Sequence, residues 1–172
     1  MRSIDVLTDS FERVRDAVHG AVEGLSPDDL SARAEGEANS VAWLVWHLTR
    51  VQDDHVSEVA GQEQAWLTDG WADRFGLPFD PADTGYGHTS DEVAAVRVES
   101  GDELLGYYDA VHARTLAFVA GIEDGDLDKV VDKAWDPPVT LGVRLVSVIA
   151  DDLQHAGQAA FVRGVALRRD TG

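Results

Sequence analysis

The stretch SVIADDLQHAGQ, residues 147–158, is rich in Val, Ile, Leu and Ala, yet it carries two adjacent acids and a histidine. At about 100° per residue, a helix over Leu141–Arg163 gathers Leu141, Val148, His155, Ala159 and Val162 in one narrow sector, with Asp151 and Asp152 on its flanks. The two acids and the histidine therefore share the core-facing side. A carboxylate buried there without a partner is destabilising or takes up a proton, so a compensating donor or cation is expected. A metal ion would be such a cation.

A second helix supplies the matching half. In VAWLVWHLTRVQDDHVSEVAG, residues 41–61, His47 lies on the same side as Trp43, Leu44 and Val51, with Asp54 two turns further on. Asn39 or Ser40 is placed to cap this helix and Gly61 to close it. Asp151 and His155, one turn apart, converge, and a ligand from another helix completes a set of three, which is the open arrangement of a catalytic zinc. Asp152, three residues before His155, competes with Asp151 for that place or orients a ligand from behind.

Working outward, Leu7, Phe11, Val14, Val18, Val22 and Leu25 repeat at steps of three and four and predict a helix over Ile4–Gly24. A further helix is expected over Asp102–Ala120. Strand-like alternation is missing, so the fold expected is all-α, a four-helix bundle with a long crossover, residues 62–96, between its second and third helices. One domain over 1–172 accommodates this.

The crossover holds Trp66, Trp71, Phe75, Phe79 and Tyr86 among glycines and prolines, and a lid over the open side of the metal is expected from about Trp66 to His88. In it, Trp71 and Arg74 are the candidate ligand contacts, Arg74 for an acidic or sugar-bearing group, and His88 in TGYGHTS is free to swing over a pocket. His19 and His112 read as surface residues, and His55 falls at the edge of its helix stripe. Neither a phosphate-binding glycine loop nor a G-x-S-x-G element is present.

A net charge of −18 argues against nucleic acid and anionic membrane as partners. With neither a signal-peptide core nor a membrane-length apolar run, a cytoplasmic protein is expected. The chain has no cysteine, so thiol chemistry has to use an external thiol. On the last helix Val143, Val146, Ala150, Leu153, Ala160 and Phe161 lie away from the core stripe, and a two-fold homodimer through that face is expected.

SVAWLVWHL and DDLQHAGQ together resemble the two signature segments of the DinB/YfiT-like superfamily of metal-binding four-helix bundles. The second resembles its H-x-x-x-H-x-G-Q pattern with an acid in the first ligand position, which implies Asp151, His155 and, from the other segment, His47 as ligands. An acid at that place, with WHLTRVQDDHV and DGWADRFGLP, is similar to the mycothiol-dependent branch that includes mycothiol S-transferases and maleylpyruvate isomerase. This resemblance implies a divalent metal, zinc with nickel as a substitute, and mycothiol as co-substrate for addition to small electrophiles in detoxification. A zinc with an open position lowers the pKa of a thiol and holds the thiolate. Two other readings fit the same residues: metal-assisted hydrolysis with Asp54 or Asp152 as base, and a non-catalytic metal-binding bundle of the stress-response kind.

Overall fold

A computed structural model describes residues 2–169. In chain order its elements are α1 (Ser3–Val22), α2 (Pro27–Ser31), α3 (Val41–Ala60), α4 (Ala65–Thr68), α5 (Trp71–Phe75), α6 (Ser90–Ala95), α7 (Gly101–Ala120), a 3₁₀ turn (Asp124–Asp128), β1 (Val130–Asp132), β2 (Val139–Thr140) and α8 (Leu141–Arg169). The four long helices form the expected bundle, in which α8 lies between α1 and α3, and α7 closes the other side against the same two helices. The apolar stripes meet inside: Phe11, Val14 and Val18 from α1, Leu44 and Leu48 from α3, Leu104 and Val111 from α7, Leu145 and Val148 from α8 are all buried.

Local chemistry sets the helix ends. Ser40 accepts from the Trp43 amide at 3.1 Å and Gly61 closes α3 in the left-handed region at φ 65°. Both α1 and α8 differ from expectation. Gly24, at φ 77°, turns the chain away, and α1 ends at Val22. Gly164 does not stop α8, because Val162 and Ala166 both bury on the core side and carry the helix on to Arg169. The 62–96 crossover contains three short helices, α4, α5 and α6, rather than irregular chain alone.

The expectation of no strands is corrected by β1 and β2, which pair antiparallel ahead of α8. Strands of three and two residues are too short to leave an alternation in the sequence, and Asp136, Pro137 and Pro138 lie in the connection between them. Among the described residues no helix is long and apolar enough to cross a membrane.

A buried polar network ties the crossover to the bundle. Asp53 accepts from the amides of Ala65 (2.9 Å) and Trp66 (2.8 Å) and from the Tyr107 hydroxyl (2.9 Å). Its neighbour Arg50, fully buried and 3.8 Å away, donates to the Asp83 carbonyl (3.1 Å), the Pro81 carbonyl (3.4 Å) and Gln64 Oε1 (2.7 Å). One ion pair thus clamps α4 at one end of the crossover and residues 81–83 at the other. His112, expected at the surface, is also a correction: it is buried against Tyr108, with ring centroids 5.9 Å apart. His19 is half-buried and shares a hydrogen bond of 2.9 Å with Asp109.

Candidate metal centre

α3 and α8 bring His47, Asp151 and His155 together, with one ligand atom of each lying within 4.8 Å of the others. The two imidazole rings meet edge to face at 4.8 Å, and Trp43 stacks on His47 at 4.6 Å. Hydrogen bonds set the tautomers. A carbonyl oxygen can only accept, so His47 Nδ1–H donates to the Thr84 carbonyl (2.5 Å) and His155 Nδ1–H donates to the Asp151 carbonyl (2.9 Å). Each ring therefore keeps a lone pair on Nε2, the form in which histidine ligates a metal.

The charges act on the two rings in opposite directions. Burial pulls His47 below the ordinary imidazole pKa and favours the neutral ring. The Asp151 hydrogen bond pushes His155 up. Burial acts to raise Asp151, but the hydrogen bond and charge of His155, with the charge of His47, outweigh it and hold the carboxyl below its usual range. Asp151 Oδ2 is buried, with His155 Nδ1 3.4 Å away as an ion-pair partner but without a well-formed hydrogen bond. A buried carboxylate oxygen held only by this weak contact, beside two imidazoles, fits a cation.

Asp152 takes the opposite environment. It is 0 % exposed, both oxygens lack a hydrogen-bond partner, and burial followed by the Asp151 charge pushes its carboxyl well above the carboxylate range. It stands outside the His47–Asp151–His155 group and lines no cavity beside it. Two adjacent positions on a helix point about 100° apart, which is enough to send one acid to the ligand group and the other into the bundle core. Asp152 is thereby corrected as a candidate base and as a rival ligand.

Two members of the triad, His47 and Asp151, line a cavity of about 540 Å³, together with Asp54, Thr84 and Tyr86. Its far wall is Asp132, Trp135 and Val139, from the hairpin that the sequence reading missed, with Arg144 from α8. A second space of about 590 Å³ shares Asp54, His55, Asp132 and Arg144 with it, so the two form one groove. Arg144 is nearly buried and donates to Glu58 (2.7 Å), His55 Nδ1 (3.0 Å) and Asp132 (3.2 Å). Gln64 donates to Asp54 Oδ1 at 2.7 Å. Around this single arginine stand more carboxylates than cations, so the groove is rich in hydrogen-bond acceptors.

The lid is smaller than expected and placed differently. Only its last part reaches the triad, through Thr84, Gly85 and Tyr86. Trp66 and Phe75 pack with Tyr107 in the core. The Arg74 guanidinium lies over the Trp71 ring at 4.6 Å, and neither residue lines the groove. His88 is corrected as a swinging contact: its side chain is 4 % exposed and held from both sides. Trp43 Nε1–H donates to His88 Nδ1 (3.1 Å), which leaves Nε2–H to donate to Asp83 (3.1 Å). Its ring also stacks on Trp46, so it locks the loop that carries Thr84.

Gly85 is where that loop comes closest. At φ 91°, an added Cβ would stand 2.9 Å from His47 Nδ1 and 2.9 Å from Trp46. We expect Gly85→Ala to lower metal affinity by about 10- to 100-fold by displacing the Thr84 carbonyl from His47. An unaltered binding isotherm would show that the loop does not orient the histidine.

Sequence reasoning could have found Arg50 and Asp53, since both continue the Trp43–Trp46 stripe of α3 at helical spacing. Arg144 and Asp132 gave no such mark, because the hairpin that unites them is tertiary.

The family model described as mycothiol-S-transferase matches residues 6–166. Among solved structures, one titled as the conserved protein of a locus from Enterococcus faecalis superposes with a TM-score of 0.90 at 29% identity, covering 97% of this chain and 98% of that chain. No curated protein matches the chain.

Proposed function

The chain belongs to the mycothiol S-transferase family, and from that premise we propose that it is a metal-dependent thiol S-transferase, joining mycothiol or a related small thiol to a small electrophile. The observation that carries this reading is the triad: one ligand atom each of His47, Asp151 and His155 lie within 4.8 Å of one another beside an open groove. Two nitrogens and one carboxylate oxygen suit zinc, with nickel as a substitute. When bound, the cation would take up a thiol sulfur and lower its pKa.

The chain's own residues do the rest. The Thr84 and Asp151 carbonyls hold the two imidazoles with Nε2 inward. Asp54, lining the same groove, accepts the thiol proton, and the sulfur then forms the bond to the electrophilic carbon as that carbon's bond to its leaving group breaks, releasing halide in the case of a halodinitrobenzene. Asp132, Glu58 and Glu63 offer carboxylate oxygens to the hydroxyl groups of a sugar-bearing thiol, while their charge disfavours a strongly anionic one. The absence of cysteine leaves no internal thiol to compete.

The deciding experiment is turnover of a general electrophile such as a halodinitrobenzene, with mycothiol, glutathione or water, each with and without added zinc. A thioether product that requires both zinc and mycothiol is expected. Hydrolysis without thiol would replace this reading by the hydrolytic one, and inactivity in every arm by the non-catalytic one. Within the active arm, Asp54→Asn should reduce kcat by about 10²-fold with metal content unchanged. Arg74→Ala should leave activity as it is, since that residue lies off the groove.

A further inference from the structure

The groove beside the triad has two unlike halves. The space that lies away from His47 and Asp151 is lined by polar side chains, with Leu67 as the exception. The space that reaches those two ligands adds Val51, Val139, Val148, Tyr86 and Trp135. Asp54 lines both. A polar co-substrate and an apolar one can therefore lie side by side, with the carboxylate that takes the thiol proton where they meet.

The two aromatic rings of the apolar half are placed unlike the others of the chain. Of the five tryptophans, Trp43, Trp46, Trp66 and Trp71 pack on other rings, and Tyr107 and Tyr108 are buried. Trp135 is 68% and Tyr86 93% exposed, and among the described residues neither ring packs on another. One exposed ring is ordinary, but two from distant elements on one cavity of ligand size form a binding surface. Their supports are fixed although the rings are free. Tyr86 follows Gly85, which packs against His47 and Trp46, in a loop held by Arg50 and His88. Trp135 lies between β1 and β2, which pair with each other and are tied to α8 by the Asp132–Arg144 contact of 3.2 Å. A flat ring stacking there orders little further chain.

We propose that Tyr86 and Trp135 receive the electrophile, and that it is a flat, uncharged aromatic compound of the activated aryl halide class. The chemistry rests on the thiol-transfer reading, whereas the binding does not. Stacked and edge-on contacts with the two rings select a planar π-system. The carboxylates of the polar half accept from the hydroxyl groups of the thiol and disfavour an anionic ring. With the ring in place, the C–S bond forms as the carbon–halogen bond breaks, halide leaves with the bonding electrons, and the thiol proton passes to Asp54.

Binding can be read apart from turnover. Meta-dinitrobenzene has the flat ring without a leaving group, and calorimetry should show it binding Trp135→Ala and Tyr86→Ala at least fivefold more weakly than wild type, with helix and metal content unchanged. Tyr86→Phe, which keeps the ring, should restore affinity to within twofold. Dinitrobenzoate, which adds a negative charge, should bind wild type at least fivefold more weakly than the neutral ring. In turnover, both alanine variants should raise KM for a halodinitrobenzene more than KM for mycothiol. No binding of dinitrobenzene to wild type, equal affinity in wild type and both alanine variants, or a benzoate that binds as well as the neutral ring overturns the proposal. Ring-dependent binding without turnover by any thiol removes the transferase reading and leaves the aromatic site standing, and turnover with unaltered affinities gives the reverse.

Discussion

Alanine at His47 or at His155 is expected to abolish metal binding: from about one equivalent per chain, retained zinc or nickel should fall to background after dialysis, with affinity down by more than about 100-fold. Each substitution removes an Nε2 donor that the structure holds in the ligating tautomer. Asp151→Ala should act in the same direction, since it removes the carboxylate of the three-residue group. Asp152→Asn is the control. Its neighbour of identical chemistry faces the bundle core, so the metal should stay. Metal analysis of the four variants separates these outcomes, and full retention in both histidine variants would eliminate the site. Acid should compete with the metal, because ligation needs neutral imidazoles. Since the Asp151 hydrogen bond raises His155 while burial lowers His47, His155 is the ring that takes up a proton first as pH falls, and metal occupancy at limiting metal should decline with it.

Asp53→Ala should cost about 3–5 kcal/mol of folding stability, the usual result of removing one partner from a buried ion pair. The loss has several parts. The Arg50 guanidinium would remain buried with its charge uncompensated, and the amides of Ala65 and Trp66 and the Tyr107 hydroxyl would lose their acceptor. Chemical denaturation monitored by tryptophan fluorescence reads the change as a shift of the midpoint. Because Arg50 also holds the Pro81 and Asp83 carbonyls, the same variant should loosen the loop that presents Thr84 to His47, and weaken metal binding by a smaller factor than the direct ligand variants. A stability within 1 kcal/mol of wild type would mean that solvent replaces the carboxylate and that the pair is no clamp.

Much of the molecule was legible in the chain alone, for identifiable reasons. The four long helices announce themselves through apolar residues at helical spacing, which must share a face whatever they pack against. Ser40 and Gly61 could be read as caps of α3 because capping depends on local geometry. His47, Asp151 and His155 could be picked out because polar groups on an otherwise apolar face need a partner, and helical angles show which groups can share one. Tertiary structure decided what depended on elements distant in sequence. It separated Asp151 from Asp152, because a bundle surrounds α8 and gives two adjacent directions different neighbours, one a pair of imidazoles and the other the core. It lined the groove beside the candidate triad with Asp132, Trp135 and Arg144 rather than Trp71 and Arg74, because a hairpin too short to mark the sequence folds across the start of α8. It turned His88 from a free loop side chain into a locked one, held between Trp43 and Asp83 from different turns of the chain. Residue spacing specifies which groups share a face of a helix, and only packing specifies what that face meets.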